Sequence, residues 1–315
     1  MEVAGIPRVA AERSRAVLIA ALFVLAIVGW TITDERMHGM DAGPGTDLGT
    51  FGFYTTAWVV MMAAMMFPSI WPMVVVYSRV QRGKEERGQA ALQGATTAFI
   101  SGYLVTWTAA GLVSYAVFQA ARSLSIDALS WDRSGPYLAG GVIAAAAVYQ
   151  LTPLKDVCLS KCRSPLMFVL TSWQPGRRGA LRMGIEHGAW CVGCCWALMA
   201  ALFALGVMSV GWMVFIAALI AIEKLLPWKG LANRGIAIVL VALGITVAFT
   251  PERVPGLTVP NSSEAMRAME AMGMGQGTIT RDGMTEKGMA GERAMGDEKM
   301  SDQGNHTNGM KADGP

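Results

Sequence analysis

Apolar positions along the chain are gathered into seven long runs, separated by polar, charged or glycine- and proline-containing segments. The runs are Ala16–Trp30, Tyr54–Tyr77, Gly94–Gln119, Tyr137–Gln150, Ile185–Gly206, Gly211–Leu226 and Ile236–Phe249. A helix that crosses a bilayer needs roughly 17–25 mostly apolar residues, and the flanking residues extend the shorter runs towards that length. The pattern predicts an all-α protein, a polytopic transmembrane bundle of about seven helices.

Composition supports the same class. Hydrophobic residues make up 53% of the 315-residue chain and charged residues only 16%, whereas soluble domains carry about 25% charged residues. The first run has basic flanks and no clear small-residue cleavage site, which predicts an uncleaved anchor. We expect residues 1–15 to be a cytoplasmic segment, 16–250 a transmembrane metal-binding domain, and 251–315 a disordered tail rich in methionine.

Basic residues in the connecting segments fall on one side of a seven-helix topology. Acidic residues predominate in the first connection, which holds Asp34, Glu35, Asp41 and Asp47. The basic residues lie before the first helix, after the second, between the fourth and fifth and between the sixth and seventh: Arg8, Arg13, Arg15, Arg79, Arg82, Lys84, Arg87, Lys155, Lys161, Arg163, Arg177, Arg178, Arg182, Lys224, Lys229 and Arg234. Because cytoplasmic loops are enriched in Lys and Arg, this predicts a cytoplasmic N-terminus and an external C-terminus. The net charge of +3 then reflects topology, and no nucleic-acid partner is expected.

The fifth apolar run begins with a cluster of metal-binding side chains. At 100° per residue, His187, Cys191 and Cys194 fall on one face of a helix, and Cys195 lies beside it. Imidazole nitrogen and thiolate sulfur bind zinc, copper and iron–sulfur centres. Such side chains inside a bilayer are costly, so their presence indicates a functional site.

Further candidate ligands are expected near the cytoplasmic ends of the helices. Cys158 and Cys162 follow the fourth run, Glu186 adjoins His187, and Glu223 ends the sixth run. Thiols on this side stay reduced, which favours metal or redox chemistry over structural disulfides. A free cysteine also packs as a small apolar residue, and this alternative explains one or two of the five cysteines.

Methionine supplies a second group of soft candidate ligands, because thioethers suit Cu(I). Met61 and Met65 share a helical face in the second run, with Met66 alongside, and packing is the favoured alternative explanation. Met37, His38 and Met40 form a turn-like cluster in the first outer connection. Methionine also recurs in the tail, which contains one histidine, His306. The tail methionines are Met266, Met269, Met272, Met274, Met284, Met289, Met295, Met300 and Met310.

These motifs together resemble a known bacterial family. The segments Tyr149–Leu166 and Met183–Met199, the pattern from Trp58 to Ser69, and the stretch Glu223–Pro227 occur in the order seen in the bacterial predicted metal-binding integral membrane proteins. The similarity runs from about Phe53 to Phe249. It implies a helical membrane protein with a metal site, supposed to bind copper, in the bacterial inner membrane.

The sequence is compatible with three functions. The favoured one is a copper-handling protein that takes up, transfers or delivers Cu(I), with zinc as the second metal. Its partners are then the lipid bilayer, the metal ion and a metallochaperone or metalloenzyme. The alternatives are a membrane metal- or thiol-dependent oxidoreductase and an accessory subunit of a metalloenzyme complex. A non-enzymatic role is favoured, since no nucleophile elbow or phosphate-binding loop is found.

Overall fold

The structure is a computed structural model that describes residues 6–45, 47–85, 94–123, 131, 134–260 and 262–271. These residues form helices and turns and contain no strand. The helices are α1 (Ile6–Met37), α2 (Phe51–Glu85), α3 (Ala95–Ser123), α4 (Gly135–Gln150), α5 (Pro153–Arg163), α6 (Pro165–Thr171), α7 (Gly176–Leu205), α8 (Val210–Leu225), α9 (Lys229–Phe249) and α10 (Ser263–Ala271). The predicted all-α class is therefore confirmed.

Each of the seven apolar runs forms a helix, but not every helix is long enough to cross a bilayer. Five helices, α1, α2, α3, α7 and α9, have the length and apolar composition of a span, and α4 with α5 adds a sixth if this bent pair counts as one. Helix α8 has 16 residues, or about 24 Å at 1.5 Å per residue. That is short of the roughly 30 Å hydrocarbon core, so α8 is not counted among the five or six helices of spanning length in the described residues, against about seven predicted.

The break between α4 and α5 has a local cause. Pro153 cannot donate a backbone hydrogen bond and clashes with a preceding helical turn, but it is favoured in the first turn of a new helix. Thr152 adopts an extended conformation and caps α5 by accepting from the Lys155 backbone N–H. The two helices consequently meet at a bend of 67°. This bend packs α5 against α7, where Cys158 and Cys162 reach the fifth apolar run.

Close contact between α3 and α7 depends on glycine. A Cβ atom at Gly102 would collide with the Leu181 carbonyl, and one at Gly184 would collide with the Phe99 carbonyl. Small residues of this kind let two helix backbones approach closely in a membrane protein. The close approach brings the aromatic side chains of α3 against the buried face of α7, which carries the candidate ligands.

One end of the helix bundle, here the upper end, gathers three connecting segments: residues 38–50, residues 206–209 and residues 250–260. The Thr258 hydroxyl donates to Asp41 Oδ2 at 3.2 Å, and the Trp212 indole N–H donates to the Gly256 carbonyl at 3.0 Å. Arg122 Nη1 lies 2.6 Å from Asp47 Oδ2, and this hydrogen bond lowers the pKa of Asp47. The opposite, lower end holds α5 and α6 and a hydrogen bond from Arg82 to Ser14.

The segment after α9 is folded over residues 251–260 and 262–271, which lie within the stretch that the sequence predicts to be disordered. A 3₁₀ turn spans Pro251–Arg253, and Val254 and Leu257 are buried in the hydrophobic core. Two apolar side chains and the hydrogen bond from the Trp212 indole to the Gly256 carbonyl hold this segment. Two apolar positions are too few to produce a periodic pattern in the sequence. One compact unit runs to Ala268. The tail methionines from Met272 to Met310, and His306, lie outside the described residues.

Candidate metal centre

Three cysteines of α7 form a compact sulfur cluster. Cys191, Cys194 and Cys195 are spaced by three and four residues, which places them on one helical face. Their Sγ atoms all lie within 4.8 Å of one another, and all three residues are buried. Each is a free thiol. Cys195 therefore belongs to the cluster itself and does not merely lie beside it.

Helix α5 adds a fourth sulfur. The Sγ atoms of Cys162 and Cys194 are 3.8 Å apart. Cys158 is oriented differently, because its Sγ atom lies 2.9 Å from the position that a Cβ atom at Gly193 would occupy. Of the two α5 cysteines that the sequence offered, Cys162 is the one in direct contact with the cluster. Thiolate sulfurs in this number and proximity are the ligands that copper(I) and zinc prefer.

Two polar side chains that sequence reasoning missed contact Cys191. The Tyr103 hydroxyl lies 3.0 Å from Cys191 Sγ, and Lys224 Nζ lies 3.0 Å from the same atom. Lys224 is buried, although it was counted as a loop charge. A buried ammonium group requires an anionic partner, and a thiolate cluster provides one. The Glu-Lys pair at the end of an apolar run was the available signal for Lys224, whereas nothing distinguished Tyr103 from other aromatic residues of its run.

Glu223 is engaged in a buried ion pair. Its Oε2 atom lies 2.6 Å from Lys155 Nζ, and the two side chains are 0% and 1% exposed. Arg163 Nη1 donates to the Glu223 carbonyl at 2.9 Å and Nη2 donates to the Leu226 carbonyl. Lys155, also counted as a loop charge, thus lies in the protein interior. The pair and the Arg163 contacts fix α5 to the end of α8, beside the sulfur cluster.

His187 lies one turn before Cys191, outside the group of mutually close sulfur atoms. Its ring is buried among Phe99, Tyr103 and Phe168, with ring centroids 6.0, 5.9 and 5.2 Å away. Its Nδ1 atom has no hydrogen-bond partner among the described residues. A buried nitrogen without a partner is costly, so the imidazole is available to bind an ion.

The remaining predicted ligands do not belong to the group of mutually close sulfur atoms. Glu186 is half-buried and accepts a hydrogen bond from Ser172 Oγ at 3.0 Å. The α2 methionines are buried in the core: Met61, Met65 and Met66. The outer cluster is divided, because Met37 is buried while His38 is exposed and Met40 is half-buried.

The fold and the cluster define a helical protein with several helices long and apolar enough to cross a membrane and with a thiol-rich candidate metal site. The model of the PpoB2 family, described as a copper chaperone, matches residues 55–247, and the chain belongs to this family. The match extends from α2 to α9 and includes all five cysteines. It confirms the copper-handling family expected from the motifs. No curated protein and no solved structure shows a significant match to the chain.

Proposed function

We propose that the protein is an integral membrane copper chaperone that holds Cu(I) at the sulfur cluster and passes it to an acceptor. The observation that carries the proposal is the group of three buried thiols on α7, within a helix of membrane-spanning length. Thiolate sulfurs are soft ligands of the type that Cu(I) prefers. Zinc is the second candidate, since four cysteine sulfurs also suit a tetrahedral zinc site.

The ligands come from two separate helices, which favours transfer over permanent retention. Cys191, Cys194 and Cys195 are fixed on α7, whereas Cys162 is on the short helix α5 beyond the 67° bend. A small movement of α5 would change the number of sulfur ligands. His187, one turn away with an unpartnered nitrogen, offers an alternative ligand. Exchange among neighbouring soft ligands provides a route by which the ion is received and released.

Lys224 gives the cluster a compensating charge. A Cu(I) ion bound by two or more thiolates carries a net negative charge, which is unfavourable in a low-dielectric interior. The ammonium group 3.0 Å from Cys191 Sγ offsets that charge. The Lys155–Glu223 pair is neutral overall, so Lys224 is the cation available to the cluster from this part of α8.

The predicted topology puts the lower end of the bundle, with α5 and α6, in the cytoplasm and the upper end outside. It requires α8, although short, to connect the two ends, and α8 leads from the turn at residues 206–209 to Glu223 beside α5. Lys155 and Lys224 no longer count as loop charges, but exposed Lys161, Arg177, Arg178, Arg182 and Arg234 remain at or near the lower end. Since Lys and Arg mark cytoplasmic segments, a cysteine introduced at Ser263 should react with an impermeant maleimide in intact cells. A cysteine introduced at Lys161 should react only after permeabilisation. The reverse labelling pattern would contradict this orientation.

The methionine-rich tail has a proposed role in capturing copper at low concentration. A tethered segment that carries weak soft ligands acts by raising the local concentration of the ion near the membrane. Truncation after Ala271, which keeps the described helices, should lower cellular copper only when external copper is scarce. Changing Cys191 and Cys194 to serine should impair copper handling at every external concentration. Cellular copper is measured across a copper titration, and a truncated chain that matches wild type at the lowest concentration would exclude the capture role.

A further inference from the structure

Three methionines from distant parts of the chain line one small cavity near the upper end of the bundle. The cavity has a volume of about 10 Å³, and its lining includes Met37, Met61 and Met208. Met37 is the last residue of α1, Met61 lies in α2, and Met208 lies in the turn between α7 and α8. The three residues are 5%, 1% and 4% exposed. Met37 and Met61 were expected to belong to separate groups, and Met208 belonged to neither.

The polar atoms of the aromatic residues around this cavity have partners elsewhere. The Tyr54 hydroxyl donates to the Gly111 carbonyl at 3.1 Å, and the Trp58 indole N–H donates to the Trp107 carbonyl at 2.8 Å. The other lining side chains are apolar. An ordered water molecule requires two to four polar partners, which these side chains do not offer. The thioether sulfurs are the soft lone-pair donors among the lining side chains.

The size and chemistry of the cavity suit one soft cation. A volume of 10–15 Å³ accommodates a single water-sized sphere, and a bare Cu(I) ion is smaller than that. Thioethers select Cu(I) over harder ions, and an indole face, here that of Trp58, also attracts a cation. Packing alone explains a single methionine, because the side chain fills irregular gaps. It does not account for three of them converging on one cavity.

We propose that Met37, Met61 and Met208 form a second Cu(I) site, distinct from the cysteine cluster. Cys191 and Leu205 are 14 residues apart on α7, which corresponds to about 21 Å at 1.5 Å per residue, and Met208 follows Leu205. Met65 follows Met61 by one turn of α2, further from the upper end of the bundle. The thioether site therefore receives the ion at the upper end, before its transfer to the stronger thiolate ligands. This inference rests on the proposed copper function.

Replacement of the three methionines by leucine tests the site, because leucine keeps the apolar volume and removes the sulfur. The full chain is purified in lipid nanodiscs and titrated with Cu(I) against a competing chelator. The variant Met37→Leu/Met61→Leu/Met208→Leu should bind one Cu(I) fewer than wild type while keeping the tightest site. Met73→Leu is the matched control, since Met73 is equally buried in α2 but does not line the cavity. It should bind like wild type.

A second measurement keeps the test decisive if the triple variant folds poorly. The single change Met208→Leu, in a turn, should weaken the second Cu(I) equivalent by about tenfold or more. An unchanged number of Cu(I) ions and unchanged affinities in the triple variant, or in Met208→Leu where the triple variant is unfolded, would overturn the inference. In that outcome the cysteine site stays filled and the proposed function stands. If the wild-type protein itself bound no Cu(I) tightly, the proposed function would be refuted instead.

Discussion

Changing Cys191 and Cys194 to serine is expected to remove the tightly bound copper from the purified protein. The change eliminates two of the three thiols that lie within 4.8 Å of one another, and a hydroxyl is a hard, poor ligand for Cu(I). We expect copper retained after dialysis against a competing chelator to fall from about one ion per chain to a small fraction of that. The metal content of matched preparations, measured for copper and zinc together, gives the result.

Cys158→Ser is the appropriate control for this experiment. Cys158 is buried and lies on α5 like Cys162, but its sulfur packs against Gly193. The Cys158→Ser protein should keep its copper. The Cys162→Ser protein should bind copper more weakly, since the Cys162 sulfur lies 3.8 Å from the sulfur of Cys194. Equal copper in wild type and in the Cys191→Ser/Cys194→Ser chain would show that the cluster is not the site. Zinc as the retained metal would identify the cluster as a zinc site.

Replacing Lys155 by methionine is expected to destabilise the protein strongly. The change leaves Glu223, which is 0% exposed, without the ammonium group that now lies 2.6 Å away. Removing one partner of a buried ion pair costs about 3–5 kcal/mol, because the other charge stays buried and uncompensated. For a domain of this size that corresponds to a fall in Tm of roughly 6–20 °C. Thermal unfolding of the detergent-solubilised protein measures it.

The double variant Lys155→Met/Glu223→Leu separates the cost of an unpaired charge from the cost of altered packing. Apolar residues of similar volume often replace a buried pair without loss of stability, so the double variant should unfold at a temperature close to that of wild type. Arg163 provides no substitute for Lys155, since its contacts are with the Glu223 and Leu226 carbonyls. A Lys155→Met chain that unfolds at the wild-type temperature would contradict this account of how α5 is held against α8.

The helices were predictable because long apolar runs are a strong signal in a sequence. Long apolar runs identify helices without knowledge of tertiary contacts, and all seven runs are helical. The number of spans was less predictable. The run Gly211–Leu226 has the composition of a span, but its helix ends at Leu225, two residues before Pro227. That helix is shorter than the hydrocarbon core of a bilayer. The bend before Pro153, by contrast, is indicated by the proline itself, because the residue before a proline disfavours the helical conformation. The length of an apolar run does not reveal it.

The candidate site was predictable only where its residues share one helix. Cys191, Cys194 and Cys195 have a spacing that places them together in any helix. Lys155 and Glu223 are separated by 68 residues, and Lys224 and Cys191 by 33, so their contacts depend on how α5 and α8 pack. A lysine at the end of an apolar run is indistinguishable in sequence from a loop charge. Only tertiary structure identifies it as a buried cation.

X-ray absorption at the copper edge of protein loaded with one copper ion per chain tests the central claim most directly. It reports the oxidation state of the ion and the elements that bind it. We expect Cu(I) with a coordination sphere dominated by sulfur in the wild-type protein, and a loss of sulfur ligands in the Cys191→Ser/Cys194→Ser chain under the same loading. A Cu(II) ion bound only by nitrogen and oxygen, or a spectrum unchanged by the two substitutions, would contradict the assignment of the cysteine cluster of α7 as the copper site.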